Sequence, residues 1–186
     1  MARAGRCLWG RRGTDWTGWQ EAGVTKTSTA ELEVRPALLR DVASIVFLLR
    51  QTGWAQTDPH ALSAAVNDEN RHVVVACRGS NLIGWGKTHF WDYSDGNAPA
   101  GYYLGGVSVL PSERRRGVAS ALTEARLQWI WSRVPQAWYV VNAGNTESIE
   151  LHKRWHFIEV GRSPQFHTTT FAGGVGLLMR AERPSP

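Results

Sequence analysis

The chain has 186 residues, 42% of them hydrophobic and 20% charged, which is the balance of one globular domain rather than of a disordered chain. No apolar run approaches the ~20 residues that a membrane-spanning helix needs, and the N-terminal arginines precede no apolar stretch of a secretory signal. The net charge of +5 is lopsided: residues 1–30 hold five cations against two acids, so +3 sits there and only +2 on the rest, which argues against a nucleic-acid-binding face.

Residues 1–30 mix Gly, Thr, Arg and Trp without a period. They form an N-terminal extension, either flexible or folded back with its tryptophans as anchors. Glu31 to Pro36 alternates like a strand and stops at proline. Leu39, Val42, Ile45, Val46 and Leu49 recur at helical spacing, and Gly53 closes that helix. Asp58 followed by Pro59 is an N-cap with proline at the first helical position, which starts a short helix reaching about Asn67.

His72 to Arg78 is a β-branched strand, Gly79-Ser80-Asn81 a hairpin turn, and Leu82 to Trp91 the return strand. Asp92 to Gly101 is a loop. Tyr102 to Leu110 is a strand, and Gly117 to Ser132 a helix with Val118, Ala121, Leu122, Ala125 and Trp129 on one stripe. Ala137 to Val141 is a strand and Thr146 to Trp155 a helix. Phe157 to Val160 and Val175 to Arg180 are the last strands, joined by a loop. The domain spans 31–182, with a mixed α/β architecture and helices on both faces of the sheet. Cys7 and Cys77 lie far apart without metal-ligand spacing, so no metal is expected, and reduced thiols imply a cytoplasmic protein.

The most informative stretch is Gly105 to Ala119, an apolar strand, a proline-stopped turn and a basic, glycine-containing turn that opens a helix. Such a junction aims free backbone N–H groups and the positive end of a helix dipole at one point, which suits a phosphate or pyrophosphate. Arg114, Arg115 and Arg116 add charge there. Gly117 has no Cβ and Ala119 a small one, so a ligand can approach the backbone.

Two motifs resemble the GNAT superfamily of acyl-CoA-dependent N-acyltransferases. The first is Arg114-Arg115-Arg116-Gly117-Val118-Ala119, preceded by Val107-Ser108-Val109-Leu110-Pro111. The second is Asn145-Thr146-Glu147-Ser148-Ile149-Glu150-Leu151-His152, continuing to Trp155-His156-Phe157. The resemblance implies a mixed, mostly antiparallel sheet and acetyl-CoA as cosubstrate. It implies direct acetyl transfer to an amine in a ternary complex. By resemblance, Val107, Ser108, Val109, Arg114, Arg115, Arg116, Gly117, Val118, Ala119, Ser120, Asn145, Ser148 and His152 bind the cofactor. His152 stands where the family places a tyrosine that protonates the departing thiolate. It either fills that role as an imidazolium or only lines the channel. His156 replaces the usual glycine.

No carboxylate sits on the strand Tyr102 to Leu110, so the amine's proton leaves through water or to Asp58, Asp92, Asp95, Glu147 or Tyr103. Tyr103 and His152 are the catalytic candidates. Trp54, Asp58, Trp91, Asp92, Tyr102, Phe166 and Phe171 are candidates for the acceptor site, because aromatic faces with a few polar groups suit sugar rings and ammonium groups. Alternation puts Tyr102 and Tyr103 on opposite sides of the strand. Gly101 to Val107, Leu127 to Ile130, Leu151 to Lys153 and Phe171 to Gly176 resemble the kasugamycin-type aminoglycoside 2′-N-acetyltransferases, which confer antibiotic resistance. A protein or peptide N-acetyltransferase and a non-catalytic acyl-CoA-binding module are the alternatives. The partner expected is a small amine, with no nucleic acid or membrane, in a monomer or a homodimer.

Overall fold

The computed structural model describes residues 30–54 and 57–185. Apart from Ala30, the expected extension over 1–30 lies outside the described residues, as does Cys7.

The first strand, β1 (Leu32–Pro36), ends at its proline, and a 3-10 turn (Leu39–Asp41) leads into α1 (Val42–Gln51). Gly53, at φ +95°, follows the end of α1. The helix α2 (Pro59–Asn67) starts where Asp58 Oδ1 accepts from the His60 amide at 2.8 Å. Two hairpin-linked strands follow, β2 (Val73–Arg78) and β3 (Asn81–Trp91), then β4 (Gly101–Val109). A second 3-10 turn (Pro111–Glu113) precedes α3 (Val118–Trp131). The chain continues through β5 (Gln136–Asn142), α4 (Thr146–Lys153) and β6 (Ile158–Ser163). It ends with the small hairpin β7 (Gln165–Phe166) and β8 (Thr169–Thr170), then β9 (Gly176–Glu182).

Seven strands form one sheet in the order β1-β2-β3-β4-β5-β9-β6, and only the β4–β5 pair is parallel. This is the mixed, mostly antiparallel sheet expected. Alternation along β2 assigns the two faces. Val73, Val75 and Cys77 pack against α1 and α2, whereas Val74 and Ala76 pack against Val118 and Leu122 of α3. The continuous apolar run of β2 follows from covering on both sides.

Two local expectations are corrected. The loop between the last strands contains the β7–β8 hairpin, because Phe166 anchors it in a cluster with Tyr103, Trp138 and Leu178. No alternation in the sequence signals that anchor. The buried face of α3 is also rotated. It holds Val118, Leu122, Thr123, Arg126, Leu127 and Ile130, while Ala121, Ala125 and Trp129 are only half-buried. A hydrophobicity pattern counts Arg126 as solvent-facing, yet its side chain is wholly buried.

Two features of β4 shape the centre of the molecule. Its pairing with β5 is confined to Tyr103 with Trp138 and Leu104 with Tyr139, so the strands separate beyond that point. Its register with β3 jumps from Gly86–Val107 to Thr88–Leu104, so Gly105 and Gly106 together face Lys87 as a bulge.

Candidate active site

An open cleft of ≈ 1770 Å³ runs from the start of α3, past the gap between β4 and β5, to the β7–β8 hairpin. At one end is the basic turn. Gly117 caps α3 with φ +80° and no side-chain hydrogen bond, and nothing lies within 4 Å of the position a Cβ would take. The first bond within the helix runs from the Ala121 amide to Gly117 O, at 3.0 Å, so the amides of Val118, Ala119 and Ser120 have no acceptor inside it. The Val118 side chain is buried in the core, so only its backbone reaches the corner.

Arg114 and Arg115 line this corner, with Arg114 Nε donating to Val109 O at 3.3 Å. Glu113 also lines it, but its carboxylate is held by Arg78 at 3.0 Å and Arg116 at 3.4 Å. Arg116 is outside the lining, contrary to expectation, because it turns towards Glu113. The open glycine, the free amides and two arginines make a corner that fits a diphosphate.

Val107, Ser108 and Val109 form the β4 wall of the cleft where no strand pairs with it on the β5 side. Across the gap, Asn145 caps α4, its Oδ1 accepting from the Ser148 amide at 3.1 Å. Ser148 and His152 line the cleft behind it.

Of the two roles open to His152, its surroundings favour the lining of the channel over the imidazolium acid. It is buried, and burial pushes its pKa from 6.5 down to about 4, so it is neutral at physiological pH. Its Nδ1 lies 2.7 Å from Ser148 O, which fixes the proton on Nδ1 and leaves Nε2 as a buried lone pair without a partner among the described residues. Its ring stacks on Tyr139, centroid to centroid 4.2 Å. The Tyr139 hydroxyl is likewise buried without a partner among the described residues, and burial raises its pKa to about 12.

Beneath the β4 bulge lies Arg126. Its Nη1 donates to Lys87 O at 3.1 Å and to Gly105 O at 3.2 Å, the carbonyls on either side of the irregularity. Nε donates to Leu122 O and Nη2 to Thr123 Oγ1, both at 3.0 Å. No carboxylate pairs with Arg126 among the described residues, and burial lowers its pKa to about 9, still protonated at neutral pH. Above the bulge, a Cβ on Gly105 would stand 2.7 Å from His89 Cδ2, so only glycine fits without displacing that ring.

The other half of the cleft is floored by alternate residues of β3: Trp85, Lys87, His89 and Trp91. Trp54, Asp58 and Arg71 close one side, and Phe166, His167 and Phe171 the other. The His167 ring stacks on Trp91 at 4.6 Å. Tyr103 lines this half, but its hydroxyl donates to Pro99 O at 2.7 Å and burial raises its pKa, so it is a poor proton acceptor. Tyr102 points to the opposite face, against Phe90 at 4.7 Å and Trp129 at 5.4 Å. It therefore does not line the cleft, contrary to expectation, and neither does the exposed Asp92.

Sequence reasoning missed Arg71, Lys87, His89, Arg126 and Tyr139. The two-residue period from Trp85 to Trp91 could have flagged Lys87 and His89, as members of one strand face. Nothing local marks Arg126.

A model of the acetyltransferase (GNAT) family matches residues 39–157. No curated protein matches the sequence. Among solved structures, the Escherichia coli ribosomal-protein-S18-alanine N-acetyltransferase superposes with a TM-score of 0.66 at 15% identity, covering 84% of this chain and 96% of its own. Ard1 from Thermoplasma volcanium gives 0.66 at 15%, covering 83% and 99%. Arabidopsis thaliana NAA60 in complex with acetyl-CoA gives 0.66 at 19%, covering 82% and 98%. At these identities the structural likeness establishes the fold.

Proposed function

This chain belongs to the acetyltransferase (GNAT) family and is an acetyl-CoA-dependent N-acetyltransferase; on that premise we propose that it acetylates an amine of an amino sugar of the aminoglycoside class, in a ternary complex. The observation that carries the reading is a single cleft joining an anion corner to an aromatic trough across the β4 bulge. The trough, with Trp54, Trp91, Phe166 and Phe171, offers flat faces to a sugar ring. The likeness of Gly101–Val107 and Phe171–Gly176 to the kasugamycin-type enzymes supports the 2′-amino group as the target.

Acetyl-CoA supplies an acetyl group activated as a thioester. In this reading Arg114, Arg115 and the amides at Gly117 to Ser120 bind its phosphates. The open edge of Val107 to Val109 pairs with the pantetheine arm, beside Asn145 and Ser148. The bulge at Gly105 and Gly106 frees a β4 amide to polarise the acetyl carbonyl. Tyr139 holds a hydroxyl proton for the departing sulfur, and the neutral His152 ring orients it by stacking. The amine's proton leaves through water, because His89, which burial keeps neutral with a pKa of about 4, is too weak a base to hold it and serves as a wall of the trough. Tyr103 positions the hairpin side of the trough.

A second reading, acetylation of a protein or peptide, is favoured by the name of the E. coli structure, a ribosomal-protein-S18-alanine N-acetyltransferase. Purified protein with acetyl-CoA and a panel of kasugamycin, other aminoglycosides and peptides separates the two, with products identified by mass spectrometry. Acetylated kasugamycin is the expected result. Peptide products with no amino-sugar product overturn the choice.

A further inference from the structure

The acceptor half of the cleft has an electrostatic asymmetry. Lys87 projects from its floor, half-buried, with no carboxylate and no hydrogen-bond acceptor in reach of Nζ among the described residues. Its neighbour is the Trp85 ring, whose centroid is 5.9 Å from Nζ. Arg71 lines the same cleft as Lys87 and His89, and its charge depresses both. Its Nε bonds Asp68 at 3.0 Å, and its remaining nitrogens are left for other acceptors. Arg126 adds a cation without a counter-ion beneath the strand.

The acids nearby are otherwise engaged. Asp58 caps α2 and Asp68 holds Arg71, while Glu147 and Glu150 belong to α4 on the far wall. Burial and the charge of Arg71 both depress the Lys87 ammonium, so the unliganded cleft carries an uncompensated cost.

The cofactor's phosphates do not account for these cations. Lys87 faces the bulge, its Cγ lying 3.1 Å from the Cβ position of Gly105. The anion corner begins beyond Val109, about 13 Å further along the strand at ~3.3 Å per residue.

We propose that Lys87 and Arg71 form an anion subsite that takes a carboxylate or phosphate carried by the acceptor. This rests on the reading of the cleft as the site of acetyl transfer. Because Lys87 overhangs the bulge, the anionic group and the reacting amine belong to one small molecule. Within the aminoglycoside class this floor disfavours a member that carries ammonium groups alone and selects one that also carries an acid. The same cations lower the pKa of the bound ammonium, which favours the neutral amine without a carboxylate base on β4.

The test uses the full chain saturated with CoA, titrated with glucosamine 6-phosphate or glucosamine. Binding is followed by the fluorescence of the tryptophans that line the cleft, and CoA release from acetyl-CoA is measured in parallel. The phosphorylated sugar should bind at least tenfold more tightly than glucosamine. Lys87→Met should remove that preference, Lys87→Glu should reverse it, and Arg71→Gln, a change at a partly exposed side chain, should reduce it. Affinity for CoA should be unchanged in all three. A glucuronic-acid amine in place of the phosphate distinguishes the two anion sources.

Equal binding of the two sugars overturns the subsite, as does a preference that survives Lys87→Met. Loss of CoA affinity in Lys87→Met assigns the lysine to the cofactor and overturns it as well. Anion-selective binding without acetyl transfer leaves the subsite standing and refutes the amino-sugar reading instead.

Discussion

Arg126→Met removes the cation beneath the β4 bulge, and its cost can be worked from four hydrogen bonds. Leu122 O keeps its helical partner and Thr123 Oγ1 sits within its own helix turn, so neither dominates. The carbonyls of Lys87 and Gly105 lose the donor that the bulge requires. Each buried, unsatisfied carbonyl costs about 1–3 kcal/mol. Relief from burying a charge without a counter-ion offsets part of this. A net loss of about 2–4 kcal/mol is a large share of a typical stability of ~5–15 kcal/mol.

The functional consequence is separate. A bulge that relaxes into a regular ladder slips the register by one residue and turns Val107 to Val109 to the other face. Urea unfolding should show a lower midpoint for Arg126→Met, and kcat should fall more than tenfold in protein that is still folded. Arg126→Lys, which can reach one carbonyl, should recover part of both. A folded Arg126→Met with wild-type kcat and KM for acetyl-CoA would refute the link between this cation and the bulge. Activity loss that vanishes below the melting temperature would refute it too.

Gly117→Glu should abolish acetyl-CoA binding in calorimetry, since it places an anion at the phosphate corner; Gly117→Ala meets no atom but pays for φ +80°, about 1–2 kcal/mol in thermal stability. Tyr139→Phe removes a buried hydroxyl that has no partner, so the midpoint should hold or rise while kcat drops at least tenfold; undiminished turnover dismisses Tyr139 as proton donor. His72, His89 and His152 are each held by burial at a pKa of about 4 against 6.5 in the unfolded chain. Below 6.5 the unfolded state binds more protons than the folded state, so stability is full above that pH and declines towards 4. Urea midpoints at pH 7 and pH 5 should differ, and His152→Phe should narrow the gap; identical midpoints would contradict buried neutral imidazoles. Gly105→Ala should raise the KM for the acceptor by displacing His89, with CoA affinity retained, as steady-state kinetics would reveal.

The sequence by itself determined the main strands and helices and the basic turn that opens α3, because all of these are local. Apolar periods of two and 3.6 residues, the Asp58-Pro59 helix start and the basic turn at Arg114 to Ala119 are written in adjacent residues. Short-range sterics and capping act on such neighbours directly. Tyr103 and Tyr102 were separable for the same reason. Only the tertiary structure decided the chemistry of the centre. His152 is neutral because Tyr139, on a neighbouring strand, stacks on its ring and, with Phe157, excludes water from it. Arg126 is core because carbonyls from β3 and β4 converge on its helix. Lys87 has no carboxylate within ion-pair reach among the described residues, because the packing of β3 against its neighbours brings none to it. Burial, orphaned carbonyls and charge balance are sums over neighbours that only the folded chain assembles, so no local pattern in the sequence encodes them.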